Sequence, residues 1–422
     1  MPHQLGVTIR AQVAAGQAAP LRDWLAKTAH SDTTENLFAF GRMRGLHFAK
    51  LFLLEEVTDL DGQCIPASLV LMTEVDAPLR PHLGELIDVG GAGIDQAFGF
   101  CTGYPGPSAN RRVRIAWLRG HLVQACAVYV NTVGRGLQQI RQEARLHDVL
   151  EDYLDQGDWD GRTPGEVRRA LQTYAAGRAD LAWAMRPPAP PSLRFRVREA
   201  IHEVAVPLAL LPLLPVLAAI LPVWAVLLRI SEQREQPITR RPSLEHLDEL
   251  AGYEDFGTQN PFAVVGFIRP GLLRLATIRA VMFAIDYAVR HVYNHDDLAG
   301  IKTIHFARWV PLDGWRRMTF ASDYDGAVEA YNDDFIDQVW WGLNAAFGNG
   351  AGYPPTRWLF WGGAKYEQQF KNTLRVHQVP VPVWYSAYPA LSAANIENNA
   401  RIRAGLRDAM TPADAERWLS LL

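Results

Sequence analysis

Residues 301–326 read IKTIHFARWVPLDGWRRMTFASDYDG, and the fold prediction starts from this stretch. Two segments typical of β-strands flank an Asp313-Gly314 pair, the usual sequence of a hairpin turn. A helix is predicted to follow over residues 326–347, because apolar side chains recur there at helical spacing. Further elements are then expected: a strand at 357–361, a helix at 366–375, a strand at 381–388 and a helix at 393–407. This order predicts the α+β class, with helices covering one face of a small sheet.

The same pattern occurs earlier in the chain, which indicates an internal duplication. The tetrapeptide HFAR at 305–308 repeats HFAK at 47–50, and residues 72–105 align without gaps on residues 321–354. A third block pairs Tyr129 with Tyr385. We therefore expect two pseudo-symmetric modules that pack about a pseudo-twofold axis, as identical subunits do in a dimer.

Between the two copies lies an uncharged stretch at residues 204–228, called the apolar run below. It reads VAVPLALLPLLPVLAAILPVWAVLL and is long enough to cross a bilayer as a helix. Its four prolines favour a bent or re-entrant element over a straight helix. Basic residues on both flanks favour placing both ends on the cytoplasmic face: Arg194, Arg196, Arg198, Arg229, Arg234, Arg240 and Arg241. A Pro-rich buried core and an oligomer interface are the alternatives.

A second segment, residues 271–293, predicts a helix with a wide apolar face. Arg279, Asp286 and Arg290 fall within a narrow arc of that helix. A helix of this kind either lies in the headgroup layer of a membrane or packs on a sheet as part of the core, and the sequence leaves both interpretations open.

These observations divide the chain into six regions. We expect a first α+β module, a helical linker, a membrane anchor, an amphipathic helical connector, a second α+β module and a C-terminal tail. Their ranges are 1–155, 156–203, 204–230, 231–294, 295–410 and 411–422.

Composition limits the function classes. The 42 basic and 45 acidic residues nearly cancel, which argues against nucleic acid as a partner. Cys64, Cys101 and Cys126 form no CxxC pair and no secretory signal is visible, so a reducing, cytoplasmic environment is expected. A single crossing would separate the two modules, so we expect a protein anchored in the cytoplasmic face of a bacterial inner membrane, with a homo-oligomer possible.

Four polar residues are candidates for chemistry. His305 can exchange a proton near neutral pH, although a buried structural histidine is the alternative. Asp325 precedes a helix and is either an acid/base carboxylate or an N-cap. Tyr385 lies on a predicted strand. Arg401 is either an anion-binding group or the partner of Glu397, four residues earlier on the same helix.

The second half resembles a bacterial family of uncharacterised proteins through its IHFARW, SDYDG and WYSAYP segments. At fold level the tandem modules resemble the ferredoxin-like dimeric α+β barrel superfamily, which includes dye-decolourising peroxidases and chlorite dismutases. That resemblance implies haem as a possible cofactor, with Asp325 in the position of the aspartate of a GxxDG motif, His377 as the proximal ligand and Arg401 as the distal arginine.

Three functions follow as hypotheses. The first is a membrane-associated enzyme that acts on a lipophilic small molecule in a cavity between the modules, with membrane lipid as its surroundings. The second is a haem-dependent oxidoreductase resembling the peroxidases. The third is a non-catalytic membrane scaffold or assembly subunit.

Overall fold

The structure, a computed structural model, describes residues 3–29, 31–235, 241–294 and 297–422. Arg240, one of the predicted flanking basic residues, lies outside these ranges. The chain folds into two larger antiparallel sheets and two short hairpins, with helices around them. The predicted α+β class is confirmed.

The strands are β1 (Gln4–Gln12), β2 (Leu46–Leu54), β3 (Val57–Thr58), β4 (Cys64–Ile65), β5 (Ser68–Asp76), β6 (Leu122–Val123), β7 (Ala127–Val130), β8 (Gln259–Phe267), β9 (Ile304–Leu312), β10 (Arg317–Asp325), β11 (Thr356–Arg357), β12 (Trp361–Gly362) and β13 (Val383–Ser386). The helices are α1 (Ala18–Thr28), α2 (Ser31–Phe38), α3 (Leu79–Asp88), α4 (Gly91–Gly99), α5 (Arg111–Gly120), α6 (Leu137–Gln156), α7 (Pro164–Gly177), α8 (Leu193–Leu210), α9 (Leu214–Arg234), α10 (Leu244–Ala251), α11 (Leu272–His291), α12 (Val328–Phe347), α13 (Glu367–His377), α14 (Ala393–Arg407) and α15 (Pro412–Leu419).

The first sheet has the strand order β13-β2-β5-β1-β6, and the second has the order β7-β9-β10-β8. In each half of the chain, the third long strand therefore lies between the second and the first. The two central trios, β2-β5-β1 and β9-β10-β8, are antiparallel throughout.

One strand of each sheet comes from the other half of the chain. After β6 pairs with β1, the chain crosses over, and β7 pairs with β9 of the second sheet. In the second half, Gln378 and Val379 pair with β8 before β13 crosses to β2 of the first sheet. Each sheet is thus completed by a strand from the other half.

The two sheets pack face to face, and helices cover their outer faces. Alternate side chains of β2, β5, β8, β9 and β10 form the core between the sheets. Helices α1 to α5 cover the outer face of the first sheet, and α11, α12 and α13 cover that of the second. Because β2 is covered on both sides, all nine of its residues are buried, which explains its almost continuous apolar sequence LHFAKLFLL.

A further helical cluster forms outside the two sheets. Helices α6, α7, α14 and α15 share a core in which Trp418 is buried. The predicted C-terminal tail, residues 411–422, therefore contains a packed helix. Its Thr411-Asp414 capping box starts α15.

Two other predictions differ from the structure. The range 231–294, predicted as a helical connector, contains β8, an edge strand of the second sheet. The predicted strand 357–361 is divided into β11 and β12, because Trp358 and Leu359 between them have left-handed φ angles of 55° and 67°.

The segment 271–293 forms α11 and packs on the second sheet. Ile278, Met282 and Val289 of this helix enter the core beside the strands. Of the two interpretations left open by the sequence, the core helix is the one confirmed.

The apolar run lies in one long helical stretch, Leu193–Arg234, which is long and apolar enough to cross a membrane. It consists of α8, a 3₁₀ turn at Leu211–Leu213 and α9, and it stays helical through its prolines. Every residue from 207 to 223 is exposed. Because successive residues point to all sides of a helix, this part packs against nothing in the described chain.

Both ends of this helical stretch are attached to α11. Near its start, His202 Nδ1 lies 2.8 Å from His291 Nε2. Near its end, the Trp224 indole N–H donates to Thr277 Oγ1 at 2.8 Å. The exposed middle thus lies between two attachment points on the same helix.

Candidate functional site

His305 is the extra residue of a β-bulge between β9 and β10. Ile304 pairs with Tyr324 and Phe306 with Asp323, so His305 has no opposite residue. Bulges redirect side chains and are frequent beside functional sites. The strand alternation in the sequence predicts that His305 shares a face with Trp309. The bulge overturns that expectation, because the His305 ring packs with Phe48 in the layer between the sheets.

The structure brings His305 and Asp325 together. His305 Nε2 lies 2.7 Å from Asp325 Oδ1, and Asp325 Oδ2 accepts the backbone N–H of Ala393 at 2.7 Å. Asp325 therefore orients the imidazole and also binds the N-terminus of α14, a favourable place for a negative charge. The N-cap alternative is wrong, because Ala327 precedes α12 and Ser392 is the N-cap of α14; Asp325 instead accepts a hydrogen bond from the first residue of α14.

The same arrangement occurs around His47, which is the extra residue of a bulge between β2 and β5. His47 Nε2 lies 3.2 Å from Asp76 Oδ1, and Asp76 Oδ2 accepts the Leu137 N–H at the start of α6. The second ring nitrogen of His47 lies 3.0 Å from the hydroxyl of Tyr388, a residue of the other half. Burial raises the pKa of Tyr388 well above its usual value, so its hydroxyl stays protonated.

Both histidines line one small cavity between the halves. Its volume is about 20 Å³, enough for one or two water molecules. Arg135 also lines it, and NH2 of that guanidinium donates to Glu397 at 2.8 Å. Arg135 NH1 is buried without a hydrogen-bond partner among the described residues. The cavity can therefore hold water or a small anion beside two imidazole rings.

Four buried charges lie nearby, between the two sheets, in pairs that cross from one half to the other. Lys50 Nζ lies 2.5 Å from Asp323 Oδ2, and Arg308 forms an ion pair with Glu74. Burial raises the pKa of Asp323 even though Lys50 opposes it. Burial works in the same direction on Glu74, but Arg308 and Lys50 outweigh it and lower the pKa of Glu74. These pairs join the halves electrostatically.

The other predicted site residues lie elsewhere. Tyr385 packs against Phe40 at a ring distance of 5.4 Å, and burial raises the pKa of Tyr385. Arg401 is exposed and donates to Glu397 at 3.0 Å, which is its predicted structural alternative. His377 ends α13, and its Nδ1 lies 2.8 Å from the Thr373 carbonyl. No contact joins these three to the His305–Asp325 pair in the part of the chain that the structure describes.

A large apolar cavity lies within the second half. It has a volume of about 360 Å³, within the range of small-molecule sites, and is enclosed by α11, α12 and the outer face of the second sheet. Its walls are almost entirely hydrophobic and aromatic. The predicted lipophilic cavity was expected between the modules, whereas this cavity lies inside one half, behind the sheet that carries His305.

Two exposed aromatic side chains line this cavity, and two more are close to one of them in sequence. Trp341 and Phe360 line the cavity and are also exposed, and Trp358 and Trp361 are exposed on the same loop as Phe360. We call residues 358–361 the aromatic loop. It contacts Glu232, a residue of α9 that follows the apolar run.

Glu232 holds the aromatic loop in its left-handed conformation. Its carboxylate accepts the backbone N–H groups of Trp358 at 2.9 Å and Leu359 at 2.7 Å, and the hydroxyl of Thr356 at 3.0 Å. Arg229 pairs with the same carboxylate at 3.1 Å. A strained backbone of this kind persists where surrounding contacts fix it, often at functional sites.

The cavities do not fit haem. A haem site needs a slot for the macrocycle and an axial ligand such as histidine. The described residues lining the 360 Å³ cavity include no histidine or cysteine, whereas His377 lines a cavity of about 60 Å³ and His305 one of about 20 Å³. We therefore assign no step to haem. Among the described residues, no group of three His, Cys, Asp or Glu side chains forms a metal site either.

Comparison of the chain with models of known protein families, with curated proteins and with solved structures finds no match.

Sequence reasoning missed three parts of this arrangement. The pairing of Tyr388 with His47 depends on the crossing of β13, for which the sequence carries no signal. The role of Glu232 depends on the left-handed backbone conformation of Trp358 and Leu359, for which the sequence carries no signal either. The apolar cavity depends on how α11 and α12 diverge over the sheet, although the alternation of small and aromatic residues along both helices is a signal for it.

Proposed function

We propose that this protein is attached to one face of a membrane and binds a lipophilic small molecule in the apolar cavity of its second half. One observation carries the proposal: α11 forms a wall of the cavity and also holds both ends of the exposed apolar stretch. The element that contacts lipid and the element that encloses the ligand are therefore packed against each other. Water-soluble proteins rarely expose so continuous an apolar surface.

The geometry of the apolar run supports insertion from one side. Its attachment points, His202 and Trp224, are about 33 Å apart along the helical stretch, but their partners are about 21 Å apart along α11. A straight helix held at both ends would touch α11 in between. Since residues 207–223 are exposed, the middle of the stretch lies away from α11, which suits a segment that enters and leaves the same leaflet.

The cytoplasmic face of the membrane is the side we propose. Arginines flank the apolar run at both ends, and basic residues next to membrane segments favour the cytoplasm. The thiols of Cys64, Cys101 and Cys126 are unbridged, which agrees with a reducing compartment.

The aromatic loop supports a route from the membrane to the cavity. Indole rings favour the headgroup region, where an apolar body meets a polar environment. Phe360 belongs both to this loop and to the cavity lining, so a molecule dissolved in the bilayer can reach the cavity mouth without crossing water.

A cavity-filling variant tests ligand binding. Ala288 lines the cavity from α11, and Ala280 is exposed on the same helix away from it. We expect the neutral dye nile red to bind the purified full-length protein with a blue-shifted emission, Ala288→Phe to abolish the shift, and Ala280→Phe to retain it. Equal binding by both variants would show that the dye site is elsewhere and would overturn the proposal.

We also propose that the two halves are duplicated ferredoxin-like modules. The support is the recurrence of related contacts at the sequence offsets of the repeats. His47 with Asp76 corresponds to His305 with Asp325, and each aspartate binds the N-terminus of a helix. The likeness to dimeric α+β barrels remains a fold-level proposal.

A second candidate function is acid–base chemistry at the His305–Asp325 pair. The unpartnered NH1 of Arg135 on the same small cavity favours it, because a buried cationic donor can hold a small anion. His305→Ala and Asp325→Asn would then abolish cellular function while the protein still fractionates with membranes. Full function in both variants, together with its loss on deletion of residues 204–228, would instead favour a non-catalytic scaffold.

A further inference from the structure

Two residues that line the apolar cavity each carry a buried hydrogen-bond donor without a partner in the described ranges. Asn332 on α12 is 2 % exposed, and Trp309 on β9 is 5 % exposed. Both line the cavity. The amide Nδ2 of Asn332 and the indole Nε1 of Trp309 are buried without a hydrogen-bond partner anywhere in the described ranges.

Leaving such groups unpaired is costly. A buried donor that has lost water and gained no acceptor carries the full cost of its desolvation. Most buried polar groups in native proteins are therefore paired, and an exception calls for an explanation such as a ligand. Tyr331 illustrates the usual outcome on the same wall, since its hydroxyl lies 2.6 Å from Ser322 Oγ.

The charge of the residues that line the cavity limits the chemical class of its ligand. None of the described residues that line it is charged, so a carboxylate or phosphate would have no counter-ion there. Burying an unpaired ionised group is far more costly than burying a neutral acceptor. An acceptor for these donors would therefore have to belong to a neutral group.

We propose that the ligand of this cavity is a neutral lipophilic molecule with a carbonyl oxygen, such as a ketone, quinone or ester, and that Asn332 and Trp309 donate hydrogen bonds to that oxygen. The inference rests on the proposed function, because it assumes that the cavity binds a ligand. It adds the chemical class of that ligand and assigns two positioning residues.

A matched pair of probes tests separately whether the cavity binds a ligand and whether it prefers a ligand with a carbonyl oxygen. Benzophenone and diphenylmethane have nearly the same shape, and only benzophenone has a carbonyl. We expect the full-length protein to bind benzophenone about tenfold more tightly, as the gain of one or two net hydrogen bonds predicts. The affinities are measured by quenching of tryptophan fluorescence in a fixed concentration of neutral detergent.

Variants identify the donors. Asn332→Leu removes the amide but keeps a similar volume, and Trp309→Phe removes the indole N–H but keeps an aromatic ring. Each variant should lose most of the preference for benzophenone while its affinity for diphenylmethane is unchanged. Asn36→Leu, at an exposed position on α2, is the matched control and should behave as the wild type.

The infrared carbonyl stretch of bound benzophenone reports the hydrogen bond directly. It should lie at a lower frequency in the wild type than in Asn332→Leu, an effect that a purely structural role for Asn332 would not produce. Equal affinities of the wild type for both probes, with an unshifted carbonyl stretch, would overturn this inference and leave the ligand cavity intact. Failure of both probes to bind would instead count against the cavity as a ligand site.

Discussion

Two lysines in the middle of the apolar run should detach the protein from membranes. Leu211 and Leu214 lie near the midpoint between the attachment points and are 56 % and 52 % exposed. A lysine at the centre of a membrane segment costs about 3 kcal/mol, so Leu211→Lys with Leu214→Lys costs about 6 kcal/mol, or a ~10⁴-fold loss of partitioning. Since lysine side chains can reach toward the headgroups, we expect a fall of at least ~100-fold.

Flotation with lipid vesicles measures this effect. The wild type should float with the vesicles, and the double variant should stay at the bottom of the gradient. The control carries Leu193→Lys and Leu244→Lys, two exposed positions outside the apolar run, and should float as the wild type does. Circular dichroism should be the same for all three proteins, because none of these side chains is packed. Flotation of the double variant at the wild-type level would refute membrane contact by the apolar run.

Three further changes test the contacts around the site. Glu232→Gln should speed hydrogen exchange at the Trp358 amide and lower the free energy of unfolding by about 3 kcal/mol, since charge-assisted hydrogen bonds are lost. Unchanged exchange would contradict the role of Glu232 in holding the aromatic loop. Lys50→Met should lower the free energy of unfolding in urea by about 3–5 kcal/mol, because it leaves buried carboxylates unpaired. Adding Asp323→Leu should recover most of that loss. Additive losses from the two substitutions would argue against the Lys50–Asp323 ion pair. Burial lowers the pKa of His82 from 6.5 to about 4, so the unfolded chain binds the proton more tightly than the folded chain does. The free energy of unfolding should therefore fall by up to about 3 kcal/mol between pH 6.5 and 4. His82→Gln should remove this pH-dependent loss.

Local pattern was enough to predict several elements of the second half. Strands β9 and β10, their Asp313-Gly314 turn and helix α12 agree with the prediction to within a few residues, and α14 agrees at both ends. These elements have clear periodicity and strong end signals. Strand β8 was missed because its sequence QNPFAVVGF begins with polar residues and proline and follows directly on a turn-rich stretch.

The candidate site was predictable only in part. The pairing of His305 with Asp325 could be anticipated from two strands joined by a tight turn, which bring both residues to the same end of the sheet. The separation of this pair from the apolar cavity could not be predicted from the sequence. The bulge at His305 turns the His305 side chain to the face opposite that of Trp309. A one-residue irregularity in a strand has no signature in composition or periodicity.

The crossing of β13 to β2 has a consequence for biosynthesis. Until residue 386 has left the ribosome, one edge of β2 has no strand beside it, and by then the whole apolar stretch has already emerged. The first sheet therefore cannot be completed before the apolar run is available. An unpaired strand edge is prone to aggregation, so the nascent chain is most vulnerable in this interval, when the edge of β2 and the apolar run are exposed together.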